Sequence, residues 1–88
     1  MDRRLDELAD HLRATGERPV ERTANRWLGE AEAIAVDLAE HDLDPATRRE
    51  RLSKVDDLLS NVDTTGDDRA DDHVATAREI VGQLRGRS

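Results

Sequence analysis

Four stretches of this chain repeat apolar residues at helical spacing, and none shows the strict apolar/polar alternation that a half-buried strand requires. In the first, Asp2 to about Ala14, Leu5, Leu8, Ala9 and Leu12 form one stripe, and Gly16 follows where a helix would stop. The second begins at Pro19, a residue suited to a first helical turn, and places Val20, Ala24, Trp27, Ala31, Ile34 and Leu38 alternately four and three residues apart, ending near His41. That rhythm is a heptad seam. Leu28 and Ala35 widen it, so this helix is expected to be central and to pack on more than one neighbour.

Asp44-Pro45 supplies the next start signal, an N-cap acceptor followed by a residue with no N–H to satisfy. The link from the second helix is short, which predicts an antiparallel hairpin. The third helix then carries Leu52, Val55, Leu59 and Val62 with Leu58 beside them, until Asp63-Thr64-Thr65-Gly66 breaks the pattern. The fourth runs from about Asp67 to Arg85 on Ala70, Val74, Ala77, Val81 and Leu84, with Gly86 as its stop and Thr65 and Asp68 as a capping-box-like start. Gly29 and Gly82 fall inside helices, where each costs roughly 1 kcal/mol relative to Ala. Close approach of another backbone is the expected reason for Gly29, beside Trp27.

Together these segments predict an all-α fold. Residues 1–88 make a single domain, a small antiparallel helical bundle of about four helices with a short first helix and a three-helix up-down core. The first helix has two possible homes, its own bundle or a second subunit.

Composition then changes the picture. Eleven of the hydrophobic residues are Ala, leaving ten Leu, six Val, two Ile, Met1 and Trp27 to build a core in 88 residues. Small domains supplement a core this thin with disulfides, metals or oligomerisation, and the chain has no Cys. A homo-oligomer, a dimer in the simplest case, or another protein partner is therefore expected. No run approaches the roughly 18 apolar residues of a membrane span, and Met1-Asp2-Arg3-Arg4 leads into no apolar signal segment, so the expectation is a cytoplasmic protein without a membrane partner.

Charge is the strongest bulk signal: 40% of residues are charged, the net charge is −7, Asp outnumbers Glu by thirteen to eight, and thirteen Arg stand against Lys54 alone. Ordinary domains are nearer about 25% charged. Apolar periodicity throughout argues against disorder, and molar salt, with a Debye length of about 3 Å, makes so acidic a surface tolerable. In composition and helix pattern the chain resembles the small acidic all-helical uncharacterised proteins of haloarchaea. The resemblance has no diagnostic motif; it implies a salt-adapted surface and carries over no active site.

Candidate chemistry is sparse. Asn61-Val62-Asp63-Thr64-Thr65-Gly66 resembles the start of an EF-hand loop with Asp72 at its twelfth position, but Asn61 replaces the first Asp, Arg69 takes a ligand position, Asp68 stands where an apolar residue packs, and Asp72 is too short to act as the bidentate Glu. A helix–helix turn is the simpler reading. Asp67, Asp68, Asp71, Asp72 and His73 could face a hard cation, yet carboxylates at a helix N-terminus are stabilising in their own right. His11, His41 and His73 lie on different segments and form no zinc-ligand spacing, while Ser53 and Ser60 have no base nearby in sequence. The expectation is no metal, no cofactor, no small-molecule substrate and no enzyme.

Two surfaces remain as interaction candidates. Trp27, with Leu28 and Ala31, is the candidate partner interface, because Trp is enriched where partners bury binding hot spots. Arg48, Arg49 and Arg51, extended by Arg3, Arg4, Arg85 and Arg87, are the candidate nucleic-acid contact. The net charge of −7, Glu50 within the cluster and the loss of phosphate affinity at high salt weigh against that alternative. The leading reading is a non-catalytic interaction or structural module that self-associates.

Overall fold

A computed structural model describes residues 3–86, in four helices: α1 (Arg3–Thr15), α2 (Arg22–Glu40), α3 (Pro45–Ser60) and α4 (Asp68–Gly86). Asp2, expected at the start of the first helix, and Arg87, expected to extend a basic patch, lie outside the described residues. The helices form a closed ring in which α1 adjoins α2 and α4, and α3 adjoins α2 and α4. Short links make successive helices antiparallel, giving an up-down-up-down bundle 35 Å long and 19 × 18 Å across. A helix of α2's 19 residues spans about 28 Å. The bundle is thus little longer than its longest helices.

Each helix owes its inward face to its apolar spacing. Leu5, Leu8, Ala9 and Leu12 of α1, Leu52, Val55, Leu58 and Leu59 of α3, and Val74, Ala77, Ile80, Val81 and Leu84 of α4 are all buried, and Val62 joins them just past α3. The first helix belongs to its own bundle: it fills the gap between α2 and α4 and does not stand apart from a three-helix core.

The register of α2 differs from the expected seam. Its fully enclosed positions are Ala24, Leu28, Ala31, Ala35 and Leu38, whereas Trp27 and Ile34 are half-buried at its edge. Both sets repeat at four and three residues, so periodicity alone leaves a one-residue ambiguity. Small side chains settle it: three Ala in the inward set let α2 come close to α1 and α3, which Trp27 could not do from the same line. Leu28 and Ala31, named above as partner contacts, are correspondingly core residues at 2% and 0% exposure.

Two helix starts also move. The second begins at Arg22 because Val20 donates to the Arg18 carbonyl and Glu21 to the Thr65 carbonyl at 2.8 Å, holding the chain extended past Pro19. The fourth is capped by Asp67, whose carboxylate accepts from the Ala70 N–H at 2.9 Å, while Thr65 pairs with Asp71 and not with Asp68. Asp44 caps α3 as expected, accepting from the Thr47 N–H with Pro45 in the first turn. Gly66 takes a φ of +84°, a left-handed conformation natural to Gly, and turns the chain into Asp67. Among the described residues, nothing beyond its chain neighbours and its own helix backbone comes within 4 Å of a Cβ built on Gly29 or Gly82, so close packing within the bundle does not account for Gly29.

Candidate functional site

Helix ends engage two of the four carboxylates of the acidic cluster. Asp67 accepts a two-point ion pair from Arg18, at 3.0 and 3.1 Å, in addition to capping α4. The Arg18 guanidinium, then the Ala70 N–H, hold its carboxyl below the usual value of 3.8. Asp71 accepts from the Thr65 N–H at 2.7 Å and from its hydroxyl at 2.9 Å, with Thr64 adding a longer bond, and these lower its pKa as well. Thr65 itself is fully buried and receives the Asp67 N–H. Within the stretch that resembled a calcium loop, the Asp67 and Asp71 carboxylates are thus engaged by Arg18, by the Ala70 N–H and by the threonines of a polar turn. Ser60 is likewise engaged, donating to the Asp57 carbonyl at 2.7 Å.

The α2/α3 edge gathers the two interaction candidates. An open groove of about 1000 Å³ is lined by Ile34 of α2, by Arg49, Arg51 and Lys54 of α3, and by Arg85 of α4, with Glu50 and Asp57 among them. Trp27 lies two turns before Ile34 and so on the same edge of α2. Its ring is half-buried, and the Arg26 guanidinium sits 5.7 Å from its centroid, within cation–π reach. Arg51 reaches Asp37 at 3.9 Å and Arg85 pairs with Asp56 at 3.0 Å. Arg48 is half-buried and does not line the groove; nor do Arg3 and Arg4. Of the three arginines expected to act together, the fold brings Arg49 and Arg51 to one groove.

One constellation carried only a partial sequence signal. His11 of α1 and His73 of α4 meet across the bundle with Nδ1 atoms 2.9 Å apart and ring centroids 5.1 Å apart, tilted by 47°. A centroid lies a little over 1 Å from a ring nitrogen, so this separation is close to that of two rings aimed nitrogen to nitrogen. One nitrogen donates and the other accepts, and both side chains are half-buried. Each His directly precedes a buried seam residue, Leu12 or Val74, which is the signal available in the sequence; pairing them also required knowing that α4 closes the ring onto α1. His41 instead sits at the end of α2, paired with Asp37 at 3.2 Å.

No helix among the described residues is long and apolar enough to cross a membrane. No curated protein and no solved structure matches the chain. A family model does match, over residues 4–88, and the chain accordingly belongs to a family of domains of unknown function, DUF8152.

Proposed function

We propose that this chain is a non-catalytic interaction module that pairs with a second copy of itself across the α2/α3 edge, on a surface adapted to high salt. The observation that carries the reading is the half-covered apolar line of Trp27 and Ile34 beside an open groove, in a bundle whose other large apolar side chains are mostly enclosed. Charge supports the same occupant. Helix α2 runs from Arg22 and Arg26 to Asp37 and Glu40, and α3 from Arg48, Arg49 and Arg51 to Asp56 and Asp57. A two-fold partner laid antiparallel on this face sets the basic end of each helix against the acidic end of its copy. The capping roles of Asp67 and Asp71 support the non-catalytic part, since these carboxylates hold the fold together.

Sedimentation and light scattering over a concentration series in molar KCl test this directly. The expected result is a monomer–dimer transition with Trp27 emission moving to shorter wavelength as the dimer forms, and Trp27→Ala abolishing the transition with helicity intact. A monomer at every concentration with constant emission would overturn it. The gathering of Arg49, Arg51, Lys54 and Arg85 favours a second reading, a nucleic-acid-associated regulator. That reading requires salt-dependent retardation of DNA or RNA, weakened when Arg49 and Arg51 are neutralised.

A further inference from the structure

We infer that His11 and His73 form a binding site for a divalent transition metal of the Ni²⁺ or Cu²⁺ class, the ion taking the place of the proton that the two rings share. Imidazole nitrogens bind such ions at about 2.0–2.1 Å, so two nitrogens 2.9 Å apart subtend about 90° at the metal. That is the cis angle of square-planar and octahedral coordination, the geometries that suit Cu²⁺ and Ni²⁺ with nitrogen ligands. A tetrahedral ion needs the nitrogens about 3.3 Å apart, so Zn²⁺ fits only if α1 and α4 separate by a few tenths of an ångström.

In the bundle the rings point at each other, and a metal sits to one side of the line between them. Binding therefore needs each ring to swing about its outer torsion, which is broad for His. The shared proton leaves to solvent as the metal enters. Side chains that are half-buried leave the remaining coordination positions facing water, and no third His, Cys, Asp or Glu among the described residues closes the site. The ion is consequently exchangeable and not a permanent structural centre. Exposed Glu7 lies one turn before His11 and exposed Arg69 one turn before His73; the net charge of −7 favours cation approach over the whole molecule.

Because the ligands come from helices at opposite ends of the chain, a bound ion clamps α1 to α4 and stabilises the folded state by linkage. The test is calorimetric titration of the full chain with Ni²⁺ and Cu²⁺, Mg²⁺ serving as the hard-cation control, together with the thermal midpoint with and without metal. One saturable site per chain and a raised midpoint are expected, both lost in His11→Gln and in His73→Gln with helicity retained. Electron spin resonance of the wild-type Cu²⁺ complex should show coupling to two imidazole nitrogens, a readout that does not depend on how the variants fold. No saturable heat, wild-type affinity in either variant, or equal heat with Mg²⁺ would overturn the site.

Discussion

Along the α1/α4 edge, His11 meets His73, and beyond the helix ends Arg18 meets Asp67, with every large apolar side chain behind them buried. Along the α2/α3 edge, Arg51 reaches Asp37 at the longer distance of 3.9 Å, and Trp27 and Ile34 stay half-covered. Hydrophobic content does not explain the difference, since the Leu and Val set of α3 is as regular as the Leu and Ala set of α1. Side-chain size on α2 does. Its inward line is mostly Ala, which brings the backbones together and leaves the bulkier Trp27 and Ile34 outside the space that results. One edge is thus finished within the chain, and the other leaves apolar surface half-covered.

The largest expected effect tests that contrast in the core. Leu12 is fully enclosed on α1, so Leu12→Ala should cost about 2–5 kcal/mol in urea unfolding, the range for a Leu cavity. Ile34→Ala should cost about 1 kcal/mol or less at low protein concentration, because much of its area is already in water. At high concentration the two should separate further. Ile34→Ala then removes the concentration dependence of the unfolding midpoint, whereas Leu12→Ala leaves it in place. Equal costs for the two at low concentration would mean that the α2/α3 edge is as closed as its opposite.

Much of this contrast is legible in the sequence, and the part that is not has a definite cause. The inward faces of α1 and α3 follow from spacing alone, because in each a single apolar stripe competes with charged residues for the core; in α4 the spacing marks Ala70, Val74, Ala77, Val81 and Leu84 but leaves out Ile80, which is buried beside Val81. Helix α2 carries apolar residues on two adjoining lines, and a one-residue rotation exchanges Trp27 for Leu28 without changing the rhythm. The sequence announced α3's cap, Asp44, through the Pro that follows it. It misdirected at α4, where Thr65 is buried against Asp71 and leaves the cap to Asp67. The His11–His73 contact lies between residues 62 apart, and only the closure of the ring brings them together.

Acid provides a smaller and more selective perturbation of the same comparison. Asp67 and Asp71 have lowered pKa values because Arg18 and Thr65, respectively, favour their charged forms. A carboxyl whose pKa falls on folding contributes stability that is fully present above its unfolded value and lost as pH drops through the folded one. The contribution of this turn should therefore hold above the ordinary carboxyl value of 3.8 and decay below it. Unfolding midpoints measured as pH falls through that range should decline less steeply in Asp71→Asn than in the wild type. A parallel decline in the two proteins would assign acid sensitivity to other carboxylates.

The mildest perturbation tests how far around α2 the half-covered edge extends. Gly29 and Gly82 are both exposed within helices, and beyond its chain neighbours and own helix backbone neither has a described group within 4 Å of the place a Cβ would occupy. In the monomer, Gly29→Ala and Gly82→Ala should each stabilise by about 1 kcal/mol, through helix propensity alone. Gly29 follows Trp27 by two residues, about 200° around α2, and so faces away from the Trp27–Ile34 line, while Gly82 lies on α4. Neither glycine borders the proposed pairing edge, so both variants should raise the unfolding midpoint by the same amount at every concentration and leave dimerisation intact, in contrast to Ile34→Ala. Weakened dimerisation in Gly29→Ala alone would move the pairing surface to the opposite face of α2.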